Sequence, residues 1–149
     1  MPDTQTPSLS ATVAAELIAV VVSTTGGQPR VLTIEDGQAL PSGPFESGHR
    51  SLQFGMRSWV ERQTHHPLGY VEQLYTFADR DRTGATADRI VSISYLGLTR
   101  ETEGRGDPGT AWVSWYRYFP WEDRRTAEGV GRGDALAPLL REWANDADR

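Results

Sequence analysis

The first ten residues, MPDTQTPSLS, show no hydrophobic period and are rich in Pro, Ser and Thr, which predicts an irregular lead over 1–10 and an ordered domain over 11–149. ATVAAELIAVVVS then ends in a β-branched run of buried-strand type, TTGGQP supplies turn residues, and RVLTI (30–34) reads as the returning strand of an antiparallel hairpin. EDGQALPSGPF should follow as a turn and an extended segment, because residues before proline are driven out of the helical region. Behind it Leu52, Met56, Trp59, Val60 and Gln63 recur at helical spacing, with Ser51 placed as N-cap and HHPLG as the stop. Gly55 costs such a helix about 1 kcal/mol relative to alanine, so close packing is its expected reason.

Two alternating aromatic segments, YVEQLYTF (70–77) and IVSISYLGL (90–98), flank the polar loop ADRDRTGATADR and predict paired strands. AWVSWYRYF (111–119) reads as a further strand. DALAPLLREWAND (134–146) reads as a helix with Leu136, Leu139, Leu140 and Trp143 on one face and Pro138 in its first turn. No repeat is present, and strands mixed with two helices imply an α+β fold or an α-β-α sandwich.

The length of 149 residues allows one sizeable core and is short for two. The absence of cysteine excludes disulfides, thiol nucleophiles and Cys-ligated zinc. All 15 basic residues are arginine, which removes Schiff-base chemistry and the P-loop lysine while offering forked donors suited to phosphates. A net charge of -5 argues against this chain alone gripping nucleic acid. The first apolar run, residues 16–22, is too short to span a bilayer and lacks a basic lead, so neither a membrane partner nor a signal peptide is expected and cytoplasmic location is the default.

From Arg30 to Leu98, the succession of strand, ALPSGPF loop, helix, GYVEQLYTF strand and RIVSISYLGL strand resembles the Nudix fold, an α-β-α sandwich with a mixed sheet. That family's motif is G-x5-E-x7-R-E-U-x-E-E-x-G-U, with U a bulky aliphatic residue. Laid from Gly43, it retains Gly43, Arg57 and Glu61, whereas His49, Ser58, Arg62, Thr64 and His65 occupy the other defining positions and Trp59 takes the first bulky one. LGYVEQLYTFADRDR and RIVSISYLGL resemble the post-helix segment of Nudix-related transcriptional regulators of NAD metabolism. GPFESGHRSLQFGMRSWVERQT is similar to the degenerate box of their alphaproteobacterial branch. The resemblance implies an effector domain binding ADP-ribose or a related NAD metabolite or adenine nucleotide, in a homodimer. It also implies DNA contact through a C-terminal winged helix-turn-helix domain that this chain does not contain, which would make the chain a fragment.

Nudix hydrolysis uses carboxylates to hold magnesium against a diphosphate. Glu61 is the only box carboxylate retained, with Ser58 and Arg62 beside it, so the resemblance implies no catalytic residue and no resident cofactor. Magnesium would enter only if the chain were an active hydrolase with rearranged ligands, drawn from Glu46, Glu61 and a histidine. His49, His65 and His66 read as solvated or capping residues rather than a metal site. Arg57 and Glu61, four apart, could be a surface ion pair or could organise the loops facing the diphosphate. Arg80, Arg82 and Arg89 beside Tyr75 and Phe77 could be a solvated loop, or could pair with phosphates while the rings stack on a base. The aromatic cluster from Trp112 to Trp121 reads as core or dimer surface before a stacking platform. A sensor domain, a hydrolase and a protein-interaction module all remain open at this point.

Overall fold

The computed structural model describes residues 13–78, 89–101 and 107–147. Among them are strands β1 (Val13–Thr25), β2 (Gln28–Thr33), β3 (Ser42–Pro44), β4 (Val71–Phe77), β5 (Arg89–Leu98) and β6 (Ala111–Ser114). The helices are α1 (Leu52–Thr64), α2 (Trp115–Tyr118) and α3 (Ala127–Ala147).

The strands form one mixed sheet in the order β4-β5-β1-β2-β6, with β3 also paired to β1. β1 and β2 make the expected hairpin, Thr25 opposite Gln28. The two residues between them, Gly26 and Gly27, take φ of 59° and 74°, the left-handed geometry that matches a tight turn to the twist of its strands. β5 runs parallel to β1 over ten residue pairs and antiparallel to β4. The alternation read from the sequence therefore places the strands, and the parallel pairing makes β1 the spine of the sheet.

Successive strand residues point to opposite faces. Leu17, Ala19 and Val21 of β1, with Ile93 and Tyr95 of β5 and Leu32 of β2, bury one face beneath Met56 and Val60 of α1. Each fully buried side chain of this kind contributes about 1.5–3 kcal/mol. α1 begins as expected: the Ser51 hydroxyl accepts from the Phe54 N–H at 3.1 Å. It ends at His65, whose left-handed φ of 53° carries its N–H back to the Glu61 carbonyl. Gly55 is buried, and a Cβ there would lie 2.7 Å from His49 Nδ1 and 2.9 Å from Leu17 Cδ1. Close packing is thus the reason for a glycine inside this helix.

The opposite face carries Val20, Val22, Val31 and Thr33, with Trp115, Tyr118 and Phe119 among their neighbours. Here the structure corrects two expectations. The segment 111–119 is not one strand: β6 pairs with β2 only as far as Ser114, and residues 115–118 then turn into α2, which lays its aromatic rings over the sheet. The last helix starts at Ala127 rather than near 134, so Pro138 lies in its interior and not in its first turn. The Thr126 hydroxyl accepts from the Gly129 N–H at 3.1 Å, which supplies an earlier start than the apolar stripe alone indicates. Among the described residues no helix is long and apolar enough to cross a membrane.

The Gly55→Ala variant tests the packing of α1 directly. Alanine improves helix propensity by about 1 kcal/mol, but the added carbon must displace His49 and Leu17. We expect a net loss of about 1–3 kcal/mol, read as a lower midpoint in urea unfolding. A stabilised variant would show that the layer has slack.

Candidate functional site

Two features on opposite sides of the sheet are candidates for binding: the outer surface of α1, and a cavity beneath α2.

On α1, Arg57 is half-buried, and its Nε is enclosed without a hydrogen-bond acceptor among the described residues. Glu61, one turn on, is exposed. The Ser58 hydroxyl donates to the Phe54 carbonyl at 2.9 Å, and the Arg62 guanidinium lies 4.4 Å from the centre of the Trp59 ring. Among the described residues no three His, Asp or Glu side chains converge as metal ligands. This donor set does not fit magnesium, which needs several hard oxygen ligands: a lone Glu61 stands between a hydroxyl turned onto its own helix and a guanidinium.

The histidines are held apart. His49 Nδ1 accepts from the Glu46 N–H at 3.1 Å, while its Nε2 faces the Glu46 carboxylate at 3.7 Å. His65 caps α1 and meets Asp107 at 3.1 Å. His66, expected in solvent or in a cap, is instead buried, 3.1 Å from the Thr99 hydroxyl and edge-on to the Trp112 ring at 5.6 Å.

The second feature is a cavity of about 330 Å³ on the far face of the sheet. Its floor is Val20, Val31 and Thr33, its rim Gly37, Gln38, Ala39 and Leu40, and its roof Trp115, Tyr118 and Phe119. The Trp115 and Phe119 rings lie 4.7 Å apart. Three consecutive residues leading into the rim, Glu35, Asp36 and Gly37, hold left-handed φ of 53°, 56° and 87°, a conformation that costs non-glycine residues of order 1 kcal/mol or more and persists only under restraint. The Tyr118 hydroxyl supplies one restraint by donating to the Gly37 carbonyl at 2.6 Å, and the Asp36 N–H supplies another by donating to the Gly109 carbonyl at 2.9 Å.

One segment touches both features. Residues 39 and 40 wall the cavity, while residues 42–44 are pinned to α1. Gln63 accepts from the Ser42 N–H at 3.1 Å and donates to the Ser42 carbonyl at 3.0 Å, and the Trp59 indole N–H donates to the Pro44 carbonyl at 2.9 Å. A Cβ on Gly43 would clash with the Trp59 ring. The conspicuous loop in the sequence is thus the mechanical link between α1 and the cavity.

The other residues singled out by sequence are placed as follows. Tyr75 and Phe77, with rings 4.7 Å apart, stand on β4 in register with Ser94 and Ser92. They share the cavity's face and lie on the other side of the sheet from Arg57 and Glu61, so the structure does not gather these four into one cluster. Arg80 and Arg82 lie outside the described residues, and Arg89 opens β5. Sequence reasoning missed the cavity. Its signal was the density of Trp115, Tyr118 and Phe119, but a strand reading pointed those rings to alternating faces rather than to one roof.

No protein-family model matches the chain, and no curated protein is significantly similar to it in sequence. Solved structures are similar in fold. The Nudix domain of Shewanella oneidensis NrtR complexed with ADP ribose is 17% identical, with a TM-score of 0.63 over 78% of this chain and 82% of that one. Shewanella oneidensis NrtR itself is 18% identical, TM-score 0.61, over 70% of this chain. The present chain spans about half of it, 53%. A C. elegans Ap4A hydrolase is 10% identical, TM-score 0.54, over 91% of this chain and 98% of that one. The chain has the Nudix fold.

Burial pushes the His66 imidazole below its ordinary value near 6.5. The unfolded chain then binds more protons than the folded one between the lowered value and 6.5, so the contribution of neutral His66 is fully present above that window and is lost as pH falls through it. We expect the urea midpoint to drop on going from about pH 7 to about pH 5, with a shallower drop in His66→Gln.

Proposed function

We propose that the chain is a ligand-sensing Nudix-like domain of a transcriptional regulator of NAD metabolism. It binds ADP-ribose, or a related NAD metabolite or adenine nucleotide, without cleaving it. The observation that carries this reading is the aromatic-roofed cavity: about 330 Å³ of apolar space beneath Trp115, Tyr118 and Phe119 suits a flat heterocycle. Two further facts support it. The carboxylates that Nudix hydrolysis needs are reduced on α1 to Glu61, and a similar domain has been crystallised with ADP ribose.

In this reading the base enters the cavity and the diphosphate runs toward arginines. Arg57 is not among them, because its enclosed Nε lies on the other side of the sheet from the cavity. Those that the sequence offers are Arg80, Arg82 and Arg89, close in the chain to Tyr75 and Phe77. Occupancy shifts the arrangement of a homodimer, and DNA contact belongs to a C-terminal domain beyond this chain. The ligand must bind one arrangement better than the other, because equal affinity shifts nothing.

Calorimetric titration of the domain with ADP-ribose should show saturable heat. Phe119→Ala and Trp115→Ala should each weaken binding by about tenfold, as loss of a stacked ring does. Saturable binding indifferent to both substitutions would place the ligand elsewhere.

A second reading, an active hydrolase with rearranged metal ligands, is favoured by one observation: Glu61 stays exposed on the outer surface of α1 and available to a metal. In that case ADP-ribose with magnesium or manganese should release AMP continuously, and Glu61→Gln should abolish the release. The sensor reading expects no AMP above the enzyme-free control.

A further inference from the structure

The cavity under α2 has an interior without charge and a mouth with one. Of its lining side chains, the Thr33 hydroxyl donates to the Ala111 carbonyl at 2.8 Å, the Tyr118 hydroxyl to the Gly37 carbonyl at 2.6 Å, and the Trp115 indole N–H to the Glu122 carboxylate at 2.6 Å. The N–H groups of Gly37, Gln38 and Ala39 are likewise taken within the turn, by the carbonyls of Ile34 and Glu35. Among the described residues this leaves the exposed carboxamide of Gln38 as the one lining side chain still able to donate. A phosphate drawn inside would exchange its hydration for carbon, which is costly for any unpaired charge. A neutral heterocycle fits the interior, and a phosphate attached to it stays at the mouth.

The charges around the mouth are unequal. Trp115 also walls an open groove over Val22, Leu96 and Leu98, and the one charged residue lining that groove is Glu122, which repels an anion. At the rim the sign is reversed. Arg117, next to Tyr118 on α2, is exposed, and a Cβ on Gly37 would lie 3.0 Å from the Tyr118 hydroxyl and 3.7 Å from Arg117 Nη1. Glycine at this position, with its φ of 87°, lets the guanidinium lie close over the rim. Arg30, Arg125 and Arg132 are paired with Glu101, Asp123 and Glu128. No described carboxylate pairs in this way with Arg117, although Glu35 and Asp36 directly precede Gly37.

We propose that Arg117 binds the phosphate groups of a nucleotide whose base occupies the cavity, so that the site selects nucleotides over free nucleosides. The planar fork of a guanidinium matches two phosphate oxygens, and a charge-assisted pair of this kind is stronger than a neutral hydrogen bond. The same short helix thus supplies the rings that cover the base and the cation that holds its phosphates. The inference rests on the ligand reading above and assigns it an anion-binding residue.

Calorimetric titrations with ADP-ribose and with adenosine separate the phosphates from the base. We expect the unmodified domain to prefer ADP-ribose by about tenfold or more, and Arg117→Met to remove that preference by weakening ADP-ribose while leaving adenosine within about twofold. Arg117→Lys should restore part of the loss, and the preference of the unmodified domain should shrink as salt rises from about 0.05 to about 0.5 M. The urea midpoint of Arg117→Met should stay where it was, because the exposed guanidinium makes no hydrogen bond among the described residues. ADP-ribose affinity untouched by Arg117→Met, or an equal loss for both probes, would overturn the assignment while leaving the ligand reading intact. Failure of the unmodified domain to bind either probe would overturn both.

Discussion

The fold depends on how closely α1 approaches the sheet. Two glycines set that distance. Gly55 lets the helix backbone come down onto Leu17 and His49, and Gly43 leaves room on β3 for the Trp59 ring. With both contacts closed, Met56 and Val60 reach the row formed by Leu17, Val21 and Ile93. Lifting the helix by the thickness of one methyl would forfeit much of the dispersion energy along that whole seam. The same approach brings Trp59 and Gln63 within hydrogen-bonding reach of residues 42–44, so the loop that precedes the helix is fixed by the helix it introduces.

The parallel pairing of β1 with β5 gives the sheet its two unequal faces. One is filled by α1. Among the described residues the other receives α2 and the Pro120–Glu122 turn near its β2 end, with the cavity under the aromatic roof and the groove beside it. A sheet packed equally on both sides would have neither. Binding capacity in this molecule is therefore a consequence of a short second layer: β6 stops at Ser114, and the chain spends its next residues on one helical turn instead of extending the strand.

Much of this was legible in the sequence where local chemistry decides the outcome. The Gly26–Gly27 turn, the Ser51 cap, the β4–β5 pairing and the stripe on α1 each follow from a few neighbouring residues. The failures share a different cause. WVSWYRYF alternates well enough to pass for a strand, and nothing local shows that β2 offers no pairing partner beyond Arg30. The first turns of α3 are rich in glycine and lack an apolar period, because their partners are the backbone of residues 121–123 rather than a core. His66 is buried by Trp112, which lies distant in sequence. For the site, Arg57 and Glu61 were found through a motif, whereas the cavity joins β1, β2, the rim at 37–40 and α2, which are contiguous only once folded.

The left-handed turn leading into the rim is restrained from the cavity's own roof. Glu35 and Asp36 adopt φ values that side chains resist, and the opposing restraint comes partly from the Tyr118 hydroxyl, which belongs to the roof. Roof and rim are thus coupled through one hydrogen bond. A ring inserted between them either keeps that bond and rigidifies the turn or displaces it and releases the strain. Residues 39–44 follow the turn directly and end on Trp59 and Gln63, so either change arrives at α1 through covalent chain and three hydrogen bonds rather than across the core. A pocket connected in this way can report its occupancy to the opposite side of the sheet without disturbing the seam beneath α1 on which the stability of the domain rests.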